Sequence, residues 1–101
     1  MDGIVTFAGD QAIPEGALKI YLEDITVQDE SRRRLAETRL VSDGQATSLP
    51  FVLSPPIALN GAAVLDVVVR LEQPDGWLIA RGSARLTIGT PVTVMLNTVS
   101  Y

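Results

Sequence analysis

Histidine and cysteine are both absent from the 101 residues of this chain. Without His, no Ser-His-Asp or Cys-His nucleophile can be built, and zinc, copper and haem sites lose their usual ligands. Without Cys there is no disulfide, no thiol nucleophile and no lipid-anchor cysteine within these residues. The redox compartment stays open, because a core of this size holds in either. Aromatic residues make up only 5%, which removes the stacking platforms of single-strand nucleic-acid binders. Net charge is -4, and an acidic surface repels phosphate backbones, so no nucleic-acid partner is expected. Long apolar runs are missing as well. Ala62-Ala63-Val64-Leu65 is cut by Asp66, far short of the roughly 20 apolar residues of a membrane span. Met1-Asp2-Gly3 leads straight into Ile4-Val5-Thr6-Phe7, which reads as a strand rather than a signal peptide and points to a trimmed boundary.

What remains is a chain rich in aliphatic residues, 47% hydrophobic, of a length that fits one domain spanning residues 1–101. Its dominant pattern is period-two alternation, the mark of half-buried strands. Leu18, Ile20 and Leu22 share one face, and Lys19, Tyr21 and Glu23 the other. The parity flips at Ile25 and Val27, which predicts a bulge or bend near Glu23-Asp24. A strand from Leu35 to Val41 follows, and Asp43-Gly44 gives a hairpin signal into Leu49, Phe51 and Leu53. Pro50 donates no backbone hydrogen bond, which predicts an edge strand. Ser54-Pro55-Pro56 opens a loop that runs to Asn60-Gly61. Leu65, Val67, Val69 and Leu71 then alternate with Asp66, Val68, Arg70 and Glu72. Pro74-Asp75-Gly76 turns the chain into Leu78, Ala80, Ala84 and Leu86, with Ile79, Arg81, Ser83 and Arg85 facing the other way. Gly82 interrupts that strand, as a bulge or a close backbone approach. Gly89-Thr90-Pro91 leads into a last strand carrying Val92, Val94 and Leu96. The one helical candidate, Gln28 to Arg34, is a polar loop with a single turn at most. Seven to eight short strands spaced by turn signals predict an all-β domain, a single antiparallel β-sandwich.

Candidate chemistry is sparse. Glu23, Asp24, Asp29 and Glu30 supply oxygens of the kind calcium takes, but their spacing is not that of an EF-hand loop, and Arg32-Arg33-Arg34 lies beside them. A solvated, charge-compensated loop is the expected state, with no metal. Paired carboxylates can hydrolyse glycosides, yet that chemistry wants a cleft with sugar-stacking rings, and only Trp77, Tyr21 and terminal Tyr101 are suited to stacking. Lys19, the only lysine, falls on a polar strand face and reads as solvated rather than catalytic. No catalytic residue and no cofactor is expected. Arg70, Arg81 and Arg85 share the outward faces of one hairpin with Asp66 and Glu72, an arrangement suited to cross-strand ion pairs or to an acidic partner. Val68, Ile79 and Trp77 fall beside them. Exposed, they would mark a protein-binding surface; covered by a loop or sheet, they would be packing.

Asp2-Gly3-Ile4-Val5-Thr6-Phe7, Ala12-Ile13-Pro14-Glu15-Gly16-Ala17-Leu18 and Ile20-Tyr21-Leu22-Glu23-Asp24-Ile25 together resemble the opening of the YbaY/YscW-like lipoproteins. Pro50-Phe51-Val52-Leu53 is similar to that family's Pro-Phe-x-Leu segment. Val67-Val68-Val69-Arg70-Leu71 with Asp75-Gly76-Trp77-Leu78 is similar to its strand, Gly-turn and strand. The chain departs from the family pattern at Ile79-Ala80-Arg81-Gly82, where a Thr-Asp pair often follows the late turn, and it carries no lipidated cysteine. The resemblance implies a β-sandwich of the Gram-negative envelope, in the periplasm or at the inner face of the outer membrane. Some members are pilotins, which help a type III secretion secretin reach or assemble in that membrane.

From residues and resemblance together, the expected function is non-catalytic protein binding in the cell envelope, with Val68, Arg70, Trp77, Ile79 and Arg81 as the contact face. Strand addition at an open edge beside Pro50 is the competing mode. A small-ligand carrier with an apolar pocket between sheets is a second class of function, which a cavity of a few hundred Å3 would support. A hydrolase using carboxylates alone is a third, and a domain that keeps only the fold, in the cytoplasm, is the remaining reading.

Overall fold

In the computed structural model of the chain, residues 1–28, 33–54, 64–87 and 89–100 are described. They form seven strands: β1 (Asp2–Phe7), β2 (Gly16–Asp24), β3 (Arg34–Ser42), β4 (Ser48–Val52), β5 (Leu65–Glu72), β6 (Leu78–Arg85) and β7 (Val92–Thr98). A short 3-10 turn over Ala8–Asp10 leaves β1. Alternation decides which side of each strand is buried. Leu18, Ile20 and Leu22 of β2, Val67, Val69 and Leu71 of β5, and Val92, Val94 and Leu96 of β7 all point inward. Val5, Phe51, Leu53 and Ala80 join them in one contiguous core. Burial of this aliphatic surface is the main stabilising term, at about 25 cal/mol for each Å2 removed from water.

The strands hydrogen-bond in the order β3-β2-β5-β6-β7-β1-β4. This is one mixed sheet curled into a nearly closed barrel, not two stacked antiparallel sheets. The wholly antiparallel sandwich expected above is therefore corrected. The first and last strands run parallel, with Gly3 opposite Val92 and Phe7 opposite Leu96. Period two fixes the buried face of a strand but carries no information about its neighbour or its direction.

The Asp43-Gly44 signal is a second correction. The turn chemistry is present: the Gln45 backbone N–H donates to Asp43 Oδ1 at 2.9 Å, and Gly44 has φ +84. The strands it was expected to join do not pair. β3 ends one edge of the sheet, while β4 pairs with β1 at the other. Residues 43–47 instead cross the barrel end, where the Ala46 carbonyl accepts the Ile13 N–H at 2.8 Å. Ser42, itself buried, donates from Oγ to the Ile13 carbonyl at 2.9 Å. These two bonds seat Ile13 fully inside the core although it belongs to no strand.

Pro50 lies on edge strand β4, as its missing N–H requires. The irregularity expected near Glu23-Asp24 also occurs, but its extra residue is across the ladder. Leu22 faces Ala36 and Glu23 faces Arg34, so Leu35 of β3 is bulged. β2 itself ends at Asp24, whose Oδ1 accepts from the Thr26 N–H and hydroxyl at 3.0 and 2.5 Å. At Gly82 two strands approach each other closely. A Cβ there would collide with the Met95 carbonyl oxygen, and β6 pairs with β7 only at Ala80–Thr98 and Arg81–Asn97. The interruption is thus a close backbone approach. The expected loop through Pro55, Pro56, Asn60 and Gly61, residues 29–32 of the Gln28–Arg34 candidate, and Tyr101 lie outside the described residues, and Arg34 itself opens β3.

Candidate functional site

The outward surface of β3, β2, β5 and β6 is ordered in rows by the register of the ladders. Arg39 faces Lys19, Lys19 faces Arg70, and Arg70 faces Arg81. One row toward the β5–β6 turn are Val41, Ala17, Glu72 and Leu78; one row away from it are Glu37, Tyr21, Val68 and Ser83. Glu72, mostly buried, sits between two cations, with Lys19 Nζ at 3.2 Å and Arg70 Nε at 3.4 Å. Arg85 Nε donates to Asp66 Oδ1 at 2.6 Å across the β5–β6 ladder. Tyr21 is buried, and the Arg34 guanidinium lies 3.7 Å from its ring centre in a cation–π contact. Arg39 and Arg81 are exposed and have no ion-pair partner among the described residues.

The structure brings together three of the five residues expected to form the contact face. Val68, Arg70 and Arg81 line one depression of about 280 Å3 together with Gly82. Trp77 flanks it from the β5–β6 turn, 60% exposed. An Asx turn fixes its backbone, the Trp77 N–H donating to Asp75 Oδ1 at 3.0 Å. Ile79 is placed elsewhere. Leu71 faces Ala80 and Glu72 faces Leu78, so Ile79 is the bulged residue between them. Its side chain packs against the core rather than beside Val68. It still borders Trp77 from behind, in a second depression that also takes in Thr98 and Val99.

Sequence reasoning missed two features. The first is the continuation of the cationic row onto Lys19 and Arg39, which only register reveals. The second is a nearly uncharged patch on the other half of the barrel. There Ile4 faces Pro50 and Asp2 faces Val52, while Met95 faces Thr6. Ile4, Val52 and Met95 are all exposed. Each reads alone as an ordinary outward residue, and the patch exists because β1 lies between β7 and β4.

Among the described residues, five surface depressions are found, and none of these five is lined by the buried aliphatic residues. Among the described residues no group of three or more acidic side chains is placed to hold a metal ion. Asp29 and Glu30 of the calcium reading lie outside them. No described helix is long and apolar enough to cross a membrane.

No family model matches the chain, and no curated protein matches it in sequence. A solved structure does match: an alternative pilotin from the type II secretion system of Vibrio cholerae. The TM-score is 0.76 at 23% identity, covering 100% of this chain and 96% of that one. The likeness establishes a pilotin-like fold over the whole chain; it does not reach the narrower resemblance to YbaY/YscW-like lipoproteins.

Proposed function

We propose that this domain is a non-catalytic, pilotin-like protein-binding module of the cell envelope, assisting an outer-membrane component of a secretion system. The observation that carries this reading is the whole-length likeness to a pilotin, 100% of this chain on 96% of that one. The contact face proposed is the outward side of β5 and β6. Trp77 and Val68 would supply apolar anchors, and Arg70 and Arg81 would set register against an acidic partner. Ile79 would act from behind, supporting Trp77.

The test is a crosslinked pull-down from detergent-solubilised envelope, with Trp77→Ala as control. Recovery of an outer-membrane assembly, lost with Trp77→Ala, supports the reading and its face. Recovery of a cytosolic partner alone leaves the likeness as one of fold. A second reading is favoured by the exposed Ile4, Val52 and Met95 beside edge strand β4, where a partner strand would add. Binding lost with Val52→Asp but kept with Trp77→Ala would move the contact there.

A further inference from the structure

We propose that two copies of the chain join edge to edge through β3, so that the ladder of one barrel continues into the next. β3 closes one side of the sheet and has β2 as its only hydrogen-bonded neighbour among the described strands. Its inward residues Ala36, Thr38 and Leu40 are half-buried, whereas Leu22, Ile20 and Leu18 opposite them on β2 are fully buried. The barrel is therefore open along this strand, and an open edge is a template for pairing with another chain. The other edge, β4, is five residues long with Pro50 at its centre, which supplies no N–H. β3 has nine residues and no proline.

The residues of β3 select a second copy of the same strand as the occupant. Side chains directly opposite one another in an antiparallel pair lie on the same face. Ala36, Thr38 and Leu40 point inward and Glu37, Arg39 and Val41 outward, so a symmetric pair that matches faces must be centred on a residue. Centred on Thr38, Glu37 of each copy faces Arg39 of the other, Ala36 faces Leu40, and Thr38 faces Thr38. Opposite charges, apolar pairs and paired threonines are each favourable across strands. Shifting the centre by one residue destroys the fit. On Glu37 it sets two carboxylates opposite each other, and on Arg39 two guanidiniums. The bulge at Leu35 lies outside this run, because the β2 ladder is regular from Ala36 to Ser42. Glu37 and Arg39 are both exposed, and neither makes an ion pair among the described residues, so both charges are available to the second copy. A contact of one strand edge is small, under about 1,200 Å2 in total, so the dimer forms at micromolar concentrations or above. It uses no residue of the β5–β6 face, and it stands or falls separately from the protein-binding reading.

The experiment is sedimentation velocity of the whole chain at low salt, from about 10 μM to about 1 mM, where a small interface of this kind becomes populated. The chain should pass from monomer to dimer over that range. Glu37→Arg sets guanidiniums opposite one another and Arg39→Glu sets carboxylates opposite one another. Each should weaken self-association at least about tenfold, with an unchanged thermal melt because both positions are exposed. An equimolar mixture of the two variants should dimerise again, since one chain then carries both guanidiniums and the other both carboxylates. Thr38→Cys keeps the test independent of those variants. The chain has no cysteine of its own, and on the symmetry axis the two Cα atoms are about 5 Å apart, within disulfide range. Mild oxidation should yield a covalent dimer from Thr38→Cys and not from Val41→Cys, whose two copies lie about 20 Å apart in this register. A chain that stays monomeric to about 1 mM overturns the inference, as does a mixture that fails to associate where the unaltered chain dimerises. A dimer lost with Val52→Asp but kept with Glu37→Arg assigns the contact to β4 and overturns it too.

Discussion

Position 82 has room for hydrogen and nothing larger. β6 crosses so near β7 that a Cβ would meet the Met95 carbonyl oxygen, a backbone atom that cannot swing aside. Gly82→Ala should therefore destabilise by about 1–3 kcal/mol, seen as a lower urea midpoint with an unchanged slope. Gly3 tells the contrasting case, since a Cβ there would meet the Phe51 ring, a side chain that can shift. Gly82 is visible in the sequence as an interruption of its strand, but the backbone that approaches it is not. Trp77 is the opposite kind of residue. It is 60% exposed at a turn, so Trp77→Ala should change stability by no more than about 0.5 kcal/mol. A melt outside that range would mean the side chain holds the β5–β6 turn in place, and any loss of binding would then have a structural origin. Ile79, by contrast, packs against the core, so its truncation confounds folding with binding.

A single strand shows how charge is managed along the face. β5 presents Asp66, Val68, Arg70 and Glu72 in alternation with its buried residues, and two of these neutralise cations on neighbouring strands. Glu72 has the larger task because Lys19 and Arg70 both reach it and its side chain is only 11% exposed. Glu72→Gln removes the anion and leaves the row unopposed. A loss of about 1–2 kcal/mol is expected at low salt, since the pairs are partly buried, shrinking in high salt as repulsion along the row is screened. Neutralising an end of the row works the other way. Arg39→Gln or Arg81→Gln should be neutral or stabilising by a few tenths of a kcal/mol. Urea titrations at two ionic strengths check both. If Arg39→Gln costs as much as Glu72→Gln, the row is not repulsive. The alternating charges of β5 are legible in the sequence, whereas the row is not, because it is assembled from four strands whose order the sequence leaves open.

Across the whole molecule, the strands and their inward faces follow from alternation, and most turns follow from Gly, Pro and Asp. Leu65 to Leu71 is read in full, because its apolar positions are regular and its ends are marked. Partnership is not local in this way. Asp43-Gly44 has the residues of a hairpin turn, yet Ile13 is seated between the segments on either side of it and each strand finds its neighbour elsewhere. The most non-local pairing is that of β1, which enters between β7 and β4 and joins the two ends of the chain. It cannot form until β7, the seventh strand in chain order, is present. Most residue pairs in contact are far apart in sequence, and domains of this kind refold in milliseconds to seconds rather than microseconds. Deleting residues 1–7 should leave β4 without its ladder and the core without Val5 and Phe7. Stopped-flow refolding of the whole chain, and a urea titration of the truncated one, measure the two consequences separately. Slow refolding together with loss of the cooperative transition places β1 as the strand that closes the domain. A truncated chain that still unfolds cooperatively would mean that β2, β3, β5 and β6 hold a core of their own, with β1 and β4 docked upon it.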